Sequence, residues 1–276
     1  MRIRIRIRKR SNTSGSVVGP SRTDPIGNFN RGVGLFFSVN TRRAFLAGAG
    51  LAGVSALAGC LSSGGSEGTP VGTPPPGAVS GASIPDDPAS HDYATAGSGD
   101  SPVVTYYGNW KCPFCADFST GESDQPVLPL GTIVADYVEP EGCSLRYRGL
   151  AYGSNGEPFL GPDAPRATRA GLAVWTVDPE RYWNYHEYVM ANQPPEGETW
   201  ATTDRLVSFA RDAGVGSLEE VRSAIESDRF EGPVEATTEA AASAGVSGTP
   251  TLVIDGSTYS PFEPGKTREA LDALTS

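Results

Sequence analysis

The chain is poor in the residues that build disulfide scaffolds and metal modules. Four cysteines (Cys60, Cys112, Cys115, Cys143) and two histidines (His91, His186) are spread over 276 residues. That is too few cysteines for a disulfide-stapled fold. One Cys-x-x-Cys, one distant Cys and two scattered His do not make the four ligands of a structural zinc, so no metal is expected. The uncharged stretch Ala44 to Ala58 is too short and too rich in Gly and Ala to span a bilayer stably. Lysine is nearly absent beyond residue 60. Of the twelve basic residues there only Lys111 and Lys266 are lysines, against 31 Asp and Glu, a net of −19. So acidic a surface disfavours nucleic acid and anionic lipid as partners. No internal repeat is present.

Basic charge is concentrated at the other end. Residues 1–59 hold ten Lys and Arg and a single acid, Asp24. The acid-rich, lysine-poor remainder resembles proteins of halophilic archaea. Thr41-Arg42-Arg43-Ala44-Phe45-Leu46 resembles the twin-arginine export motif and directly precedes the weakly apolar run. The run ends Leu57-Ala58-Gly59-Cys60, which resembles a lipobox; Cys60 is then the lipidated first residue of the mature chain. Ala56-Leu57-Ala58 also fits the small-x-small rule for cleavage after Ala58, and a retained, uncleaved anchor is a third outcome. Residues 1–59 are therefore expected to be a twin-arginine-type signal segment. The mature protein is expected at the outer face of the cytoplasmic membrane, held by a lipid or signal anchor. The Arg–Ile alternation of residues 1–8 looks like a strand, but ahead of a signal peptide it reads as a long n-region or an over-called start.

Residues 60–100 are dominated by Ser, Gly, Thr, Pro and Ala, a composition that buries too little apolar surface to offset ordering entropy. They are expected to form a tether, with His91 exposed in it. Residues 101–276 are long enough for one domain with its own core. Pro102 to Tyr107 reads as a buried strand and Cys112 to Phe118 as a helix start. A helix is expected over Leu130 to Val138. Cys143 to Leu150 alternates Cys143, Leu145 and Tyr147 against Ser144, Arg146 and Arg148, so it reads as a half-buried strand. Five helical segments follow: Ala164 to Val177, one opened by Asp178-Pro179, one striped by Leu206, Phe209 and Ala210, one opened by a capping box at Ser217 to Glu220, and Glu231 to Ala244. Pro250 to Ile254, an Asp255-Gly256 turn and Ser257 to Tyr259 read as a hairpin. A helix over Thr267 to Leu274 closes the chain.

A lone Cys-x-x-Cys is a moderate signal, open to redox, metal or chance readings. Here Cys112-Pro113-Phe114-Cys115 is expected to follow a strand, open a helix and lie in an oxidising, extracytoplasmic compartment. Ser247-Gly248-Thr249-Pro250 stands far downstream, immediately before another strand. Together Tyr107 to Cys115 and Val246 to Thr251 resemble the DsbA group of the thioredoxin superfamily. The segment Tyr182-Trp183-Asn184-Tyr185-His186-Glu187 is similar to that group's inserted helical domain. The resemblance covers about residues 101–276 and implies an α/β, thioredoxin-like fold with a helical insertion at about 160–244. It implies a redox-active disulfide, Cys112–Cys115, with no other cofactor. It also implies a cis Pro250 beside that disulfide, leaving the Thr249 backbone free to pair with an extended substrate segment. At a helix start Cys112 faces unpaired N–H groups that favour its thiolate, so it is expected to attack, with the shielded Cys115 resolving the mixed disulfide.

Two features depart from that pattern. Many relatives carry a buried acid about six residues before the first Cys, but Thr105, Tyr106 and Tyr107 stand here, leaving the Cys115 proton without an assigned acceptor. The dipeptide between the cysteines is Pro-Phe, without the His of the most oxidising relatives, so an intermediate potential is expected. Cys143 is expected to be a core thiol and His186 a packed or hydrogen-bonded residue. Trp110 and Phe114 divide evenly between a substrate-docking patch and core packing.

The expected function is an extracytoplasmic protein-disulfide oxidoreductase. Its partners are exported protein thiols and disulfides and an unidentified membrane or small-molecule redox partner. The alternatives are a thiol reductase for cytochrome or copper-site maturation, and a tethered binding or chaperone module with a vestigial Cys-x-x-Cys. Mass spectrometry of the mature N-terminus is expected to find a lipidated Cys60; a soluble chain beginning at Gly59 would point to cleavage after Ala58.

Overall fold

The computed structural model describes residues 77–100 and 102–276. The signal segment, Cys60 and residues 61–76 of the expected tether lie outside the described residues. The strands are β1 (Thr95–Ala96), β2 (Val103–Gly108), β3 (Ser144–Gly149), β4 (Thr251–Ile254) and β5 (Ser257–Tyr259). The helices are α1 (Pro113–Thr120), α2 (Leu130–Ile133, continued by a π-helical turn over Val134–Val138), α3 (Ala164–Val177), α4 (Tyr182–Ala191), α5 (Thr203–Asp212), α6 (Leu218–Glu226), α7 (Glu231–Ser243) and α8 (Pro264–Leu274).

The sheet order is β1-β3-β2-β4-β5, with β2 and β3 parallel and every other pair antiparallel. A parallel pair needs a crossover, and α1 and α2 supply it. Register places Tyr106 beside Tyr147 on one side and Leu252 on the other. Val104, Tyr106, Leu145, Tyr147 and Leu252 join Phe118 of α1, Ile133 of α2 and Tyr185 of α4 in the main core. A smaller cluster gathers Tyr107 and Val253 with Leu150 and with Ala241 of α7. Period-two side-chain alternation along β2 thus seats neighbouring tyrosines in different cores. Asp255 and Gly256 turn the β4–β5 hairpin with φ of 46° and 74°, as a type I′ turn requires.

Several expectations are corrected. The tether ends earlier than residue 100: Val79 and Ala94 to Gly97 are buried, and Thr95–Ala96 adds strand β1 to the free edge of β3. A two-residue strand has no periodicity to detect, and its order comes from the β3 edge. His91 is half-buried rather than exposed, and its carbonyl accepts the Trp175 indole N–H at 2.7 Å. Ser217 precedes α6 in the left-handed region (φ 46°) and makes no side-chain cap, so the capping box does not form. The last helix starts at Pro264, three residues before the expected Thr267. Helices α3 to α6 pack on one another, whereas α7 returns to the sheet against β3.

A buried ion pair joins the helical insertion to the sheet. Lys111, between the end of β2 and α1, is 2.5 Å from Asp163 at the start of α3, and each side chain is 1% exposed. Lys111 Nζ also donates to the Glu198 carbonyl (2.9 Å), and the other Asp163 oxygen accepts the Ala201 N–H (2.8 Å). Burial alone would raise the Asp163 carboxyl, but these hydrogen bonds hold it below its usual range. Gln193 adds a bond from its Nε2 to the Trp110 carbonyl at 2.9 Å. Breaking such a pair leaves a buried charge uncompensated. Asp163→Ala is expected to cost about 3–5 kcal/mol in urea unfolding. Asp204→Ala, which breaks the exposed pair with Arg222, should leave the urea midpoint nearly unchanged.

Candidate functional site

The site forms where β2 runs into α1. Cys112 is the N-cap, with extended backbone (φ −79°, ψ 119°), and Pro113 takes the first helical position, where its missing N–H costs nothing. The Cys112 carbonyl accepts the N–H groups of Cys115 (3.0 Å) and Ala116 (3.2 Å). Cys115 lies one turn further in and is fully buried; both thiols are free. Far along the chain, the Thr249–Pro250 bond is cis, and its loop brings the Thr249 carbonyl to 3.3 Å from Cys112 Sγ. The fold thus brings together Cys112, Cys115, Thr249 and Pro250. Cys112 is nonetheless only 4% exposed, more covered than a helix start suggests, because that loop lies beside it.

The two sulfurs differ sharply in acidity. The Cys112 thiol is lowered from about 9 to about 6, first by a hydrogen bond from Cys115. Burial opposes this, and the Thr249 hydroxyl and the backbone N–H groups of Cys115 and Phe114 reinforce it. No imidazolium takes part, so the missing His of the dipeptide is replaced by hydroxyl, thiol and backbone donors. Cys115 is raised well above its usual value, chiefly by burial and then by the adjacent Cys112. At neutral pH the pair therefore holds one thiolate, on Cys112, and one thiol, on Cys115.

Asn109 fixes the loop from below. Its side-chain amide donates to the carbonyls of Leu150 (2.8 Å) and Phe159 (2.9 Å), its Oδ1 accepts the Lys111 N–H (2.8 Å), and its own N–H points to Cys115 Sγ at 3.4 Å. Asn109, Lys111 and Asp163 were not among the expected site residues. Lys111 carried a signal, being one of two lysines beyond residue 60 and standing next to the Cys-x-x-Cys. Asp163 carried none, since its partner is 52 residues away.

Of the flanking aromatics, Trp110 is core. Its indole is buried against Tyr147, Tyr185 and His186. Phe114 is 48% exposed, with the Phe262 ring 5.8 Å away. Cys143 is a buried thiol raised to about 11 by burial. His186 is enclosed by the rings of Tyr106, Trp110, Tyr147, Tyr182 and Trp183, and burial pushes it down to about 3, so it is neutral. Among the described residues no group of three or more His, Cys, Asp and Glu is arranged to hold a metal.

The sequence model of the family described as Thioredoxin matches residues 90–273. The chain is 25% identical over 167 residues to the probable disulfide bond formation protein D of Bacillus cereus, covering 60% of this chain and 71% of that one. It is 24% identical over 160 residues to the disulfide bond formation protein D of Bacillus subtilis, covering 58% and 66%. Among solved structures, oxidised BdbD from Bacillus subtilis superposes with a TM-score of 0.57 at 20% identity, over 70% of this chain and 97% of that one. DsbA from Chlamydia trachomatis gives 0.53 at 20% identity, over 66% and 91%. The fold is the α/β, thioredoxin-like fold with a helical insertion of DsbA-like proteins.

Thiolate absorbance of the reduced protein is expected to titrate with a midpoint near 6, and Thr249→Val should raise that midpoint. Because the folded value lies below the unfolded one, Cys112 contributes stability to the reduced form that is full above pH ~9 and lost as pH falls through ~6. Urea midpoints of the reduced protein measured between these limits should rise with pH.

Proposed function

We infer, since the chain belongs to the thioredoxin family, that it is a protein thiol–disulfide oxidoreductase acting outside the cytoplasm, with Cys112 and Cys115 as its redox pair. The observation that carries this reading is the acidity split across one helical turn. Cys112 is lowered to about 6 beside the Thr249 carbonyl, and Cys115 is buried and raised. A vestigial pair would have no use for such a split, which speaks against a tethered chaperone or binding module.

In the oxidising direction a client thiolate attacks Cys112 Sγ of the Cys112–Cys115 disulfide. A client–Cys112 bond forms and Cys115 leaves as a thiolate that takes up a proton. A second client thiolate then attacks the client sulfur of that mixed disulfide, and Cys112 leaves as a thiolate. The client is oxidised by two electrons and the protein reduced by two. A low Cys112 value makes it a good leaving group and stabilises the reduced protein, which favours forming or reshuffling disulfides in exported proteins. The electrons pass only between the two protein sulfurs and the client sulfurs.

Client binding follows the same geometry. The Thr249 backbone, next to cis Pro250, offers sequence-independent pairing to an extended client segment. Phe114 and Phe262 offer an apolar contact beside it. The lipid on Cys60 and the tether after it would hold the domain at the outer membrane face. Recycling then falls to a membrane or small-molecule redox partner, and the acidic surface turns nucleic acid away.

The test is covalent trapping in the export compartment. Cys115→Ser is expected to accumulate mixed disulfides between Cys112 and client proteins, visible as reductant-sensitive adducts on gels. Cys112→Ser should give none. Adducts in the second variant but not the first would reverse the roles, and adducts in neither would remove the redox reading.

A further inference from the structure

In either direction of exchange a thiolate forms on Cys115, in an interior where the Asn109 N–H and the Thr249 side chain favour the anion but burial opposes it most strongly. As the client attacks, Cys115 leaves as an anion; in the reverse step it must become one before it attacks Cys112 Sγ. The sulfur is fully buried, and the principal influences on it are burial, Cys112, the Asn109 N–H and the Thr249 side chain. None is a carboxylate. The titratable groups facing this region are Cys112 on its own helix, Tyr106 on β2, Tyr147 on β3 and, behind them, Tyr182, Tyr185 and His186 on α4.

Tyr106 has the right placement. It is fully buried in the middle of β2, three residues before the Asn109 N–H that points at Cys115 Sγ. Its ring meets Phe118, one turn beyond Cys115 on α1, edge to face at 5.0 Å. Its hydroxyl is turned toward the loop. A Cβ on Gly108 would stand 2.9 Å from that oxygen, so the missing side chain of Gly108 is what leaves the hydroxyl its room. There it lies against the Cys115 sulfur and the Ser119 hydroxyl. Neither the Tyr106 nor the Ser119 hydroxyl makes a close hydrogen bond to any described residue. Several phenols of this core lack a close partner; Tyr106 is set apart by the side-chain hydrogen bond through which the Cys115 sulfur acts on it.

We propose that the Tyr106 hydroxyl is a further hydrogen-bond donor, beside the Asn109 N–H, that stabilises the Cys115 thiolate during exchange. The idea rests on the redox reading of the pair given above. Tyr106 keeps its proton throughout: burial, and then the negative charge on Cys115, hold the phenol well above its usual value. The proton the client thiol gives to solvent before it attacks equals the one Cys115 then takes up, so the exchange is proton-neutral overall. Tyr147 shares the pocket and feels Cys115 through charge alone, whereas Tyr106 feels it through a side-chain hydrogen bond as well, which makes Tyr147 the natural control.

The experiment follows the two steps separately in the reduced protein, using an aromatic disulfide (dithiobis-nitrobenzoate) as oxidant. Attack by Cys112 releases one coloured thiolate and leaves a Cys112 mixed disulfide. Attack by Cys115 on Cys112 Sγ then closes the protein disulfide and releases the second. Tyr106→Phe removes a single unpaired oxygen and is expected to fold. It should leave the first release at the wild-type rate, slow the second about tenfold or more, and move the pH midpoint of the second release upward. Tyr147→Phe should change neither phase. A wild-type second phase in Tyr106→Phe, or an equal slowing in both variants, would overturn the assignment to Tyr106 while leaving the redox pair standing. Absence of a second release from the wild-type protein would overturn the pair itself, and this proposal with it.

Discussion

A lysine ammonium and an aspartate carboxylate, both shut away from water, hold the two parts of this fold in one geometry. Each ion alone would be too costly to bury, so Lys111 and Asp163 tolerate burial only together and with further hydrogen bonds. Glu198 and Ala201 supply two of those bonds, and they lie on the loop between α4 and α5. Lys111 is also the residue before Cys112. The pair therefore does more than join an insertion to a sheet: the position of the Cys112 sulfur is set from a loop whose Glu198 lies 87 residues beyond Lys111. Gln193, bonded to the Trp110 carbonyl, adds a second tie to the same segment.

From that fixed loop the contrast between the two sulfurs follows. They are three residues apart in sequence and one helical turn apart in space. Cys112 stands at the open end of α1, where N–H groups have no helical partner and the dipole is positive. Cys115 stands inside the helix, in the core, where a charge has nothing to solvate it. The same short motif thus creates one sulfur that ionises readily and one that does not. The Thr249 side chain, on the loop before β4, favours the anion on both sulfurs.

The core beneath the pair is unusual for its phenols and imidazole. Tyr106, Tyr147, Tyr185 and His186 are all fully or nearly fully buried, and their polar atoms have no close hydrogen-bond partner among the described residues. Edge-to-face ring contacts near 5 Å compensate through packing. His186 stays neutral there, so α4 brings no positive charge toward Cys112.

Local pattern was enough to recognise most elements. The β-branched and aromatic run of β2, the alternation of β3, the amphipathic stripe of α5 and the Asp255-Gly256 turn each follow from side-chain spacing and backbone preference, which are properties of neighbouring residues. The same is true of the Cys112–Cys115 pair, because strand, cysteine and helix-favouring proline are consecutive in the chain. The edge strand Thr95–Ala96 escaped such reading, since two residues have no period and their order is lent by β3. Ser217 misled it, because a serine before Glu219 and Glu220 looks like a cap until the backbone turns left-handed. Asn109, Lys111 and Asp163 were beyond it for a different reason: a burial cost shared between residues 52 apart is written nowhere along the chain. Sequence alone determined which sulfur opens a helix. Tertiary structure alone decided how acidic that sulfur is and what surrounds its partner, because acidity depends on the donors and the solvent that folding brings near or takes away.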